Sequence, residues 1–334
     1  MKKRIAINGF GRIGRLAFRC LLEDKYLEVV AINDLGSTED LYYLLKYDSN
    51  FRMFDASNLS YNEEAFIYKG RKINIYKEKD ANNLPWGKLK VDVVLECTGF
   101  YTNVEDAKAH INAGAKHVII SAPAKGDCKT IVFNVNDDTL TGKEEVISAA
   151  SCTTNCLAPV LNIIDKSYKV LGGYMTTVHA TTNDQATLDV LHKKGSFSRR
   201  GRAALENIIP TSTGAASAIG KVMPKLDGKL HGGAFRVPTI DGSMIDLSVI
   251  VKKKPTVEGM NEAFRINSNE TLEITNDPIV SSDVIGNTHG ALVDGLLTDV
   301  LELEDGSHMI KVVAWYDNEL GYTSQMIRTM KVLI

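Results

Sequence analysis

Gly9-Phe10-Gly11-Arg12-Ile13-Gly14 constrains this chain more than any other stretch. It follows a short apolar run, Arg4 to Asn8, that reads as a buried strand. It opens a helix with Ile13, Leu16, Ala17 and Leu21 on one face. A second strand, Leu27 to Ile32, ends in Asn33-Asp34, with Asp34 twenty residues after Gly14. Each part of this order has a physical task. The glycines permit a tight turn, let the backbone approach a pyrophosphate, and let helix and strand pack closely. The helix N-terminus offers N–H groups to the phosphates, and the acid accepts hydrogen bonds from ribose hydroxyls. A lone G-x-G-x-x-G carries little weight, but here every flanking element follows in register. The stretch reads as a dinucleotide-binding unit.

The alternation continues. Val91 to Cys97 is a strand ending at Thr98-Gly99-Phe100, Asn103 to Asn112 a helix, and His117 to Ser121 the next strand. Strands alternating with helices imply an α/β fold with a mostly parallel sheet and right-handed crossovers. Ligands bind beyond the carboxyl ends of such strands, so Asp34, Thr98 and Ser121 are cofactor candidates. Asn50 to Trp86 is strand-like with turns, and Lys79 within it is by default a solvated charge.

A second chemical feature is Ala149-Ala150-Ser151-Cys152-Thr153-Thr154-Asn155-Cys156. It follows the strand-like Val146-Ile147-Ser148 and precedes Leu157, Val160, Leu161 and Ile164 at helical spacing. Ser151 fits a helix N-cap, which puts Cys152 in or beside the first turn. Helix N–H groups favour an anion there, so the thiol is expected below its usual pKa of about 8.5 and ready to act as a nucleophile. Pro159 is expected to bend this helix or delay its start. Cys156 shares a helix face with Cys152, but the further pair that zinc needs is missing, and no metal is expected.

In the second half Gly172-Gly173 reads as a turn, and Tyr174 to Ala180 as a strand with Met175, Thr177 and His179 on one side. His179 matters because a cysteine nucleophile needs a base. Thr181 to Arg202 has no periodicity and reads as a long, functional loop ending in Ser198-Arg199-Arg200-Gly201-Arg202. Pro210-Thr211-Ser212-Thr213-Gly214-Ala215-Ala216 is a hydroxyl- and glycine-rich turn opening a helix, suited to cradle an anion. Arg236, between apolar residues, requires an anionic partner in the protein or a ligand. Strands follow over Asp241 to Lys252 and Met309 to Ala314, and the chain closes with Trp315-Tyr316-Asp317-Asn318-Glu319 and a helix to about Lys331.

Composition narrows the function classes. The 334 residues are enough for two domains, and a formal net charge of −2 gives no electrostatic case for nucleic acid or an anionic membrane. No apolar run approaches the roughly 18 residues of a membrane span, and the basic start runs straight into Ile5-Ala6-Ile7 without a signal-peptide core. Five cysteines at unmatched spacings point to reduced thiols and a cytoplasmic setting.

Together these motifs resemble the glyceraldehyde-3-phosphate dehydrogenase family along essentially the whole chain. The matching stretches are Ile7 to Arg15, Ala150 to Cys156, His179 to Gln185, Pro210 to Ala216, Arg236-Val237-Pro238 and Trp315 to Glu319. The resemblance implies a Rossmann NAD-binding domain over residues 1–150, joined by a C-terminal helix over 316–334, and an α+β catalytic domain with a mixed sheet over 151–315. It implies a homotetramer. Carried over by motif, Cys152 is the nucleophile and His179 its base. One phosphate site takes Thr182 and Arg236; the other takes Ser151, Thr153, Thr213, Gly214 and a loop arginine, by alignment Arg200. NAD is held by Arg12, Ile13, Asp34, Lys79, Ser121 and Asn318.

The reaction so implied joins glyceraldehyde 3-phosphate and inorganic phosphate. Cys152 adds to the aldehyde, hydride passes to NAD, and phosphate attacks the resulting thioester. The chain departs from the family pattern at Ser217-Ala218, where a lysine is usual, at His231-Gly232-Gly233, and in a short insertion near Gly195 to Ser198, next to Arg200. The nearest rival is erythrose-4-phosphate dehydrogenase, whose pattern has glutamate at the Asp34 position and lacks Thr-Gly-Ala-Ala. A water-using aldehyde dehydrogenase and a non-catalytic nucleotide sensor are two further rivals.

Overall fold

In the computed structural model, which describes residues 2–193, 195 and 197–334, the first apolar run forms strand β1 (Lys3–Asn8). Lys194 and Ser196, the latter within the insertion, lie outside the described residues. Helix α1 (Arg12–Leu21) buries Gly14, Leu16, Ala17, Phe18 and Leu21 and leads to β2 (Leu27–Asn33), parallel to β1. The turn between β1 and α1 depends on missing side chains. Gly9 has φ +91°, and a Cβ at Gly14 would lie 2.0 Å from Gly9 O.

After α2 (Thr38–Lys46) come β3 (Leu59–Asn62), β4 (Ala65–Tyr68) and β5 (Arg71–Tyr76). Then follow β6 (Val93–Glu96), the short helices α3 (Val104–Ala107) and α4 (Ala109–Asn112), β7 (His117–Ile120), β8 (Lys129–Thr130) and β9 (Val146–Ser148). The single helix expected over 103–112 is pinched at Lys108, whose ψ of −16° is close to a 3₁₀ turn. The nine strands form one sheet in the order β3-β4-β5-β2-β1-β6-β7-β9-β8. From β5 to β8 its neighbours are parallel, while β3 and β4 are antiparallel additions. Asp34 and Ser121 directly follow the carboxyl ends of β2 and β7, and Thr98 lies just past β6.

This first unit comprises residues 1–131, 137–150 and 326–334; the second comprises 132–136 and 151–325. The second unit contains α5 (Cys152–Tyr168), β10 (Val170–His179), β11 (Ile209–Thr211), α6 (Ala215–Val222), β12 (Leu230–Arg236) and β13 (Ser243–Val251). It continues with α7 (Val257–Ile266), β14 (Leu272–Thr275), β15 (Ala291–Asp294), β16 (Asp299–Glu302) and β17 (His308–Tyr316). The last helix, α8 (Leu320–Leu333), begins in the second unit and ends in the first. The second sheet is mixed, in the order β11-β12-β10-β13-β17-β15-β14, with β16 on β17. Helix α5 lies on it, buried along most of its length.

Gly172-Gly173 is not a turn. It lies within β10, where a side chain at Gly173 would come 2.5 Å from Ser248 O on the neighbouring β13. The pair serves close strand approach rather than chain reversal. No helix among the described residues is long and apolar enough to cross a membrane.

Candidate active site

The chain leaves β9 through Ala149-Ala150, and Ala150 takes a left-handed conformation at φ +59°. That turn sets Ser151 as the N-cap of α5, its Oγ accepting the Thr154 N–H at 3.1 Å. Cys152 is the first helical residue. The helix passes through Pro159 without ending, contrary to the expectation of a late start. Pro159 has no N–H for Asn155 O, and Gly290 approaches that carbonyl so closely that a Cβ there would lie 2.7 Å from it.

Two strand ends complete the thiol's surroundings. His179 closes β10 and Arg236 closes β12, and the parallel register pairs them directly. Cys152 Sγ lies 3.4 Å from His179 Nε2. His179 Nδ1 lies 2.8 Å from Ala180 O, so we assign the tautomer in which Nδ1–H donates to that carbonyl and Nε2 accepts from the thiol. Arg236 Nη1 donates to the same carbonyl at 3.0 Å and to Thr182 Oγ1 at 2.8 Å.

The electrostatics correct one expectation. The Cys152 thiol is pushed up, not down, because burial outweighs the pull of Arg236 and of hydrogen bonds from Thr153 and the backbone. His179 is held down at about 3, first by burial and then by the Arg236 guanidinium. A histidine that stays neutral cannot supply the cation that would lower the thiol. The free protein therefore carries a thiol and a neutral imidazole side by side.

Around this pair, Thr182 Oγ1 donates to Asp184, which is ion-paired with Arg200. Arg200 Nε also donates to Thr211 Oγ1 at 3.1 Å. Arg200 thus borders both groups, Thr182 through Asp184 and the turn that carries Thr213 and Gly214 through Thr211. Thr213 Oγ1 accepts the Ala215 N–H at 3.2 Å, and Gly214 begins α6 with no side-chain cap. Thr213 and Gly214 share no hydrogen bond with the Arg200–Asp184 pair among the described residues. The Thr153 hydroxyl is engaged with Tyr316 Oη at 2.9 Å, and Ser151 Oγ with the helix cap.

In the first unit, α1 starts at Arg12 with Gly11 as N-cap and no side-chain cap. Arg12 is ion-paired with Asp48, and Ile13 is half-buried in the first turn. Asp34 accepts the Phe10 N–H at 2.7 Å and the Gly36 N–H at 3.0 Å, so it braces the glycine turn. Ser121 N–H bonds Glu96 O at 3.0 Å, and Lys79 is exposed. In the second unit Asn318 is buried, its Oδ1 accepting from Ser243 Oγ at 2.6 Å.

Comparison with known proteins decides the family. Residues 3–104 match the glyceraldehyde 3-phosphate dehydrogenase NAD binding domain, and residues 151–318 match the C-terminal domain of the same family. The glyceraldehyde-3-phosphate dehydrogenase of Clostridium pasteurianum is 53% identical over 328 residues, covering 98% of this chain and 97% of the relative. That of Clostridium acetobutylicum is 54% identical with the same coverage. The Lactobacillus delbrueckii subsp. bulgaricus enzyme is 50% identical over 99% of this chain and 98% of its own length. The chain belongs to the glyceraldehyde-3-phosphate dehydrogenase family.

Its NAD binding domain contains the β1–α1 turn, and the residues there fit a dinucleotide. Gly11 places no side chain over the first turn of α1, and a Cβ there would meet nothing within 4 Å, so the turn leaves room for a phosphate. In this dehydrogenase the sequence motifs alone do not single out Tyr316. Its hydroxyl joins Thr153 to Thr177, at 2.9 and 2.8 Å, and its ring stands edge-on to His179 at 5.9 Å. The signal is present in Trp315-Tyr316-Asp317-Asn318-Glu319, where only Asn318 draws attention as a ligand group.

Proposed function

We propose that this protein oxidises D-glyceraldehyde 3-phosphate to 1,3-bisphosphoglycerate with NAD and inorganic phosphate, as a cytoplasmic homotetramer in glycolysis. The observation that carries the reading is the 3.4 Å approach of Cys152 Sγ to His179 Nε2 in a member of this family. As sulfur adds to the aldehyde carbon, His179 takes the thiol proton and passes it to the new oxyanion, giving a thiohemiacetal. Held down at about 3 in the free protein, His179 keeps Nε2 unprotonated and able to accept that proton. The chemistry NAD supplies when bound is hydride acceptance. His179 then removes the hydroxyl proton as the carbonyl re-forms, leaving a thioester on Cys152. Attack by hydrogen phosphate on the thioester carbon breaks the carbon–sulfur bond and releases the acyl phosphate, whose remaining phosphate proton passes to solvent; the Cys152 thiolate takes back the proton held on His179.

Arg236 supports this reading with a buried Nε that has no hydrogen-bond partner among the described residues, a donor suited to an anionic substrate. We assign Thr182 and Arg236 to the substrate phosphate, and Ser151, Thr153, Thr213, Gly214 and Arg200 to the attacking phosphate. On the cofactor side we assign Arg12, Ile13, Asp34, Lys79, Ser121 and Asn318. For assembly, Tyr174, Phe235 and Ile250 are half-exposed on neighbouring strands of the mixed sheet, an apolar surface that a further subunit would cover.

Following NADH formation with and without phosphate tests the chemistry. Glyceraldehyde 3-phosphate should turn over only with phosphate, and Thr213→Ala should raise the phosphate KM more than the aldehyde KM. Steady turnover without phosphate would establish water as the attacking group, and a preference for erythrose 4-phosphate would establish the rival substrate.

A further inference from the structure

Ser243 is the first residue of β13 and is fully buried. The ladder between β10 and β13 ends at Val178 and Met244, so the next strand-end donor, the Ala180 N–H, needs another partner. It bonds Ser243 Oγ at 3.0 Å. Ser243 Oγ in turn donates to Asn318 Oδ1 at 2.6 Å. The main chain of Asn318 is fixed from the other side, its N–H reaching Asp241 Oδ1 at 3.2 Å.

The direction of these bonds follows from the donors. The Ala180 N–H can only donate, so it occupies a lone pair of Oγ and leaves the hydroxyl hydrogen for Asn318. With the amide flipped, Asn318 would bring a second donor to Oγ, and the buried hydroxyl hydrogen would have no acceptor among the described residues. Asn318 Oδ1 is therefore held inward. Its Nδ2, which has no partner among the described residues, is the end presented to a ligand.

Ala180 has a second role through its carbonyl, which accepts both His179 Nδ1–H and Arg236 Nη1. An unbroken series of contacts runs from the Asn318 amide through Ser243, the Ala180 peptide and the His179 ring to Cys152 Sγ.

We propose that Ser243 is a positioning residue whose single hydroxyl fixes both the outward end of the Asn318 amide and the peptide whose carbonyl orients His179. The inference rests on the proposed function, in which Asn318 contacts NAD and His179 serves Cys152. Removing the hydroxyl should disturb both sides at once, whereas changes at either end should disturb only one.

The test uses two readouts on the full-length protein: the NAD Kd by calorimetry, and the rate of Cys152 alkylation by iodoacetamide in the absence of NAD. Ser243→Ala should weaken NAD by about tenfold, the loss of one well-placed hydrogen bond, and slow alkylation several-fold. Asn318→Ala should weaken NAD comparably and leave alkylation unchanged. The double variant should bind NAD within about twofold of Asn318→Ala, since Ser243 acts on NAD through Asn318. Ser243→Cys fills the same space with a far poorer hydrogen bonder, so its NAD Kd should follow the alanine variant. A cysteine variant that binds NAD like the unmodified protein would reduce Ser243 to packing and overturn the proposal. So would a Ser243→Ala protein that moves only its melting temperature. If Asn318→Ala itself leaves the NAD Kd unchanged, the cofactor reading fails instead. Slower alkylation in Ser243→Ala would then still support the His179 arm.

Discussion

The two turns that lead from a strand into a functional helix solve the same problem in opposite ways. Between β1 and α1 the left-handed residue is Gly9, and the N-cap is Gly11, which puts no side chain on the helix N–H groups. Between β9 and α5 the left-handed residue is Ala150, and the N-cap is Ser151, which bonds Thr154 N–H itself. A left-handed alanine costs roughly 1 kcal/mol that glycine does not. In the proposed function the first turn leaves its N–H groups to a ligand's phosphates. The second caps itself and carries Cys152, which lies 3.4 Å from His179. On that reading one helix start binds and the other aims.

The largest effect should come from removing what the second turn aims. Cys152→Ser should lower kcat by at least about a thousandfold, since the proposed covalent intermediate forms on that thiol, while NAD binding should persist. The pKa directions add a pH test. With the thiol raised by burial and His179 held at about 3, iodoacetamide alkylation should climb through and beyond the ordinary thiol range near 8.5 rather than level off near neutrality. A midpoint below that value would mean that the helix end and Arg236 together outweigh burial. The two turns would then be electrostatically alike.

A smaller effect is expected at Asp34, which belongs to the first turn as much as to the cofactor. Its Oδ2 holds the Phe10 N–H, and the ribose hydroxyls of NAD are its proposed partners. A 2′-phosphate beside it would meet like charge worth several kcal/mol at 4 Å and an effective dielectric near 20. Leu35-Gly36-Ser37-Thr38 offers no cation to offset that. NAD should therefore be preferred over NADP by at least roughly a hundredfold in kcat/KM, about 2.7 kcal/mol. Asp34→Gly should narrow the gap from both sides, improving NADP and weakening NAD as Phe10 loses its acceptor. Asp34→Asn, which keeps an acceptor, should spare NAD more. Equal use of the two cofactors by the unmodified protein would remove Asp34 from this role.

The contrast between the turns also marks what the sequence could disclose. The first turn is legible almost completely, because strand, glycines, helix and acid are local and each obeys a short-range period. The cap at Ser151 is legible for the same reason. What escapes depends on long-range register: His179 meets Arg236 only because β10 and β12 pair in parallel at those residues, and Ser243 reaches Ala180 only where the β10–β13 ladder stops. Gly172-Gly173 misleads because a glycine pair signals a turn locally, while its purpose is set by Ser248 on another strand. The sign of the thiol shift is illegible too. Helix position is written in the sequence, whereas the burial that outweighs it belongs to the folded second unit.

The smallest effect is also the sharpest comparison: Gly11→Ser, which gives the first turn the cap of the second. Gly11 has φ −71° and ψ −157°, extended backbone that serine adopts without strain, and a Cβ there meets nothing within 4 Å. The new hydroxyl can accept from an N–H in the first turn of α1, as Ser151 does in α5. Exchanging glycine for serine at an N-cap should raise stability by only a few tenths of a kcal/mol, read as a small increase in the urea midpoint. NAD should bind several-fold more weakly, because on the proposed reading its phosphates must displace a hydroxyl from first-turn donors and pass a side chain where glycine has none. Cys152 alkylation without NAD should not change. A more stable protein with an unchanged NAD Kd would show that the α1 N–H groups are not what the phosphates use. The difference between the two helix starts would then be one of sequence and not of function.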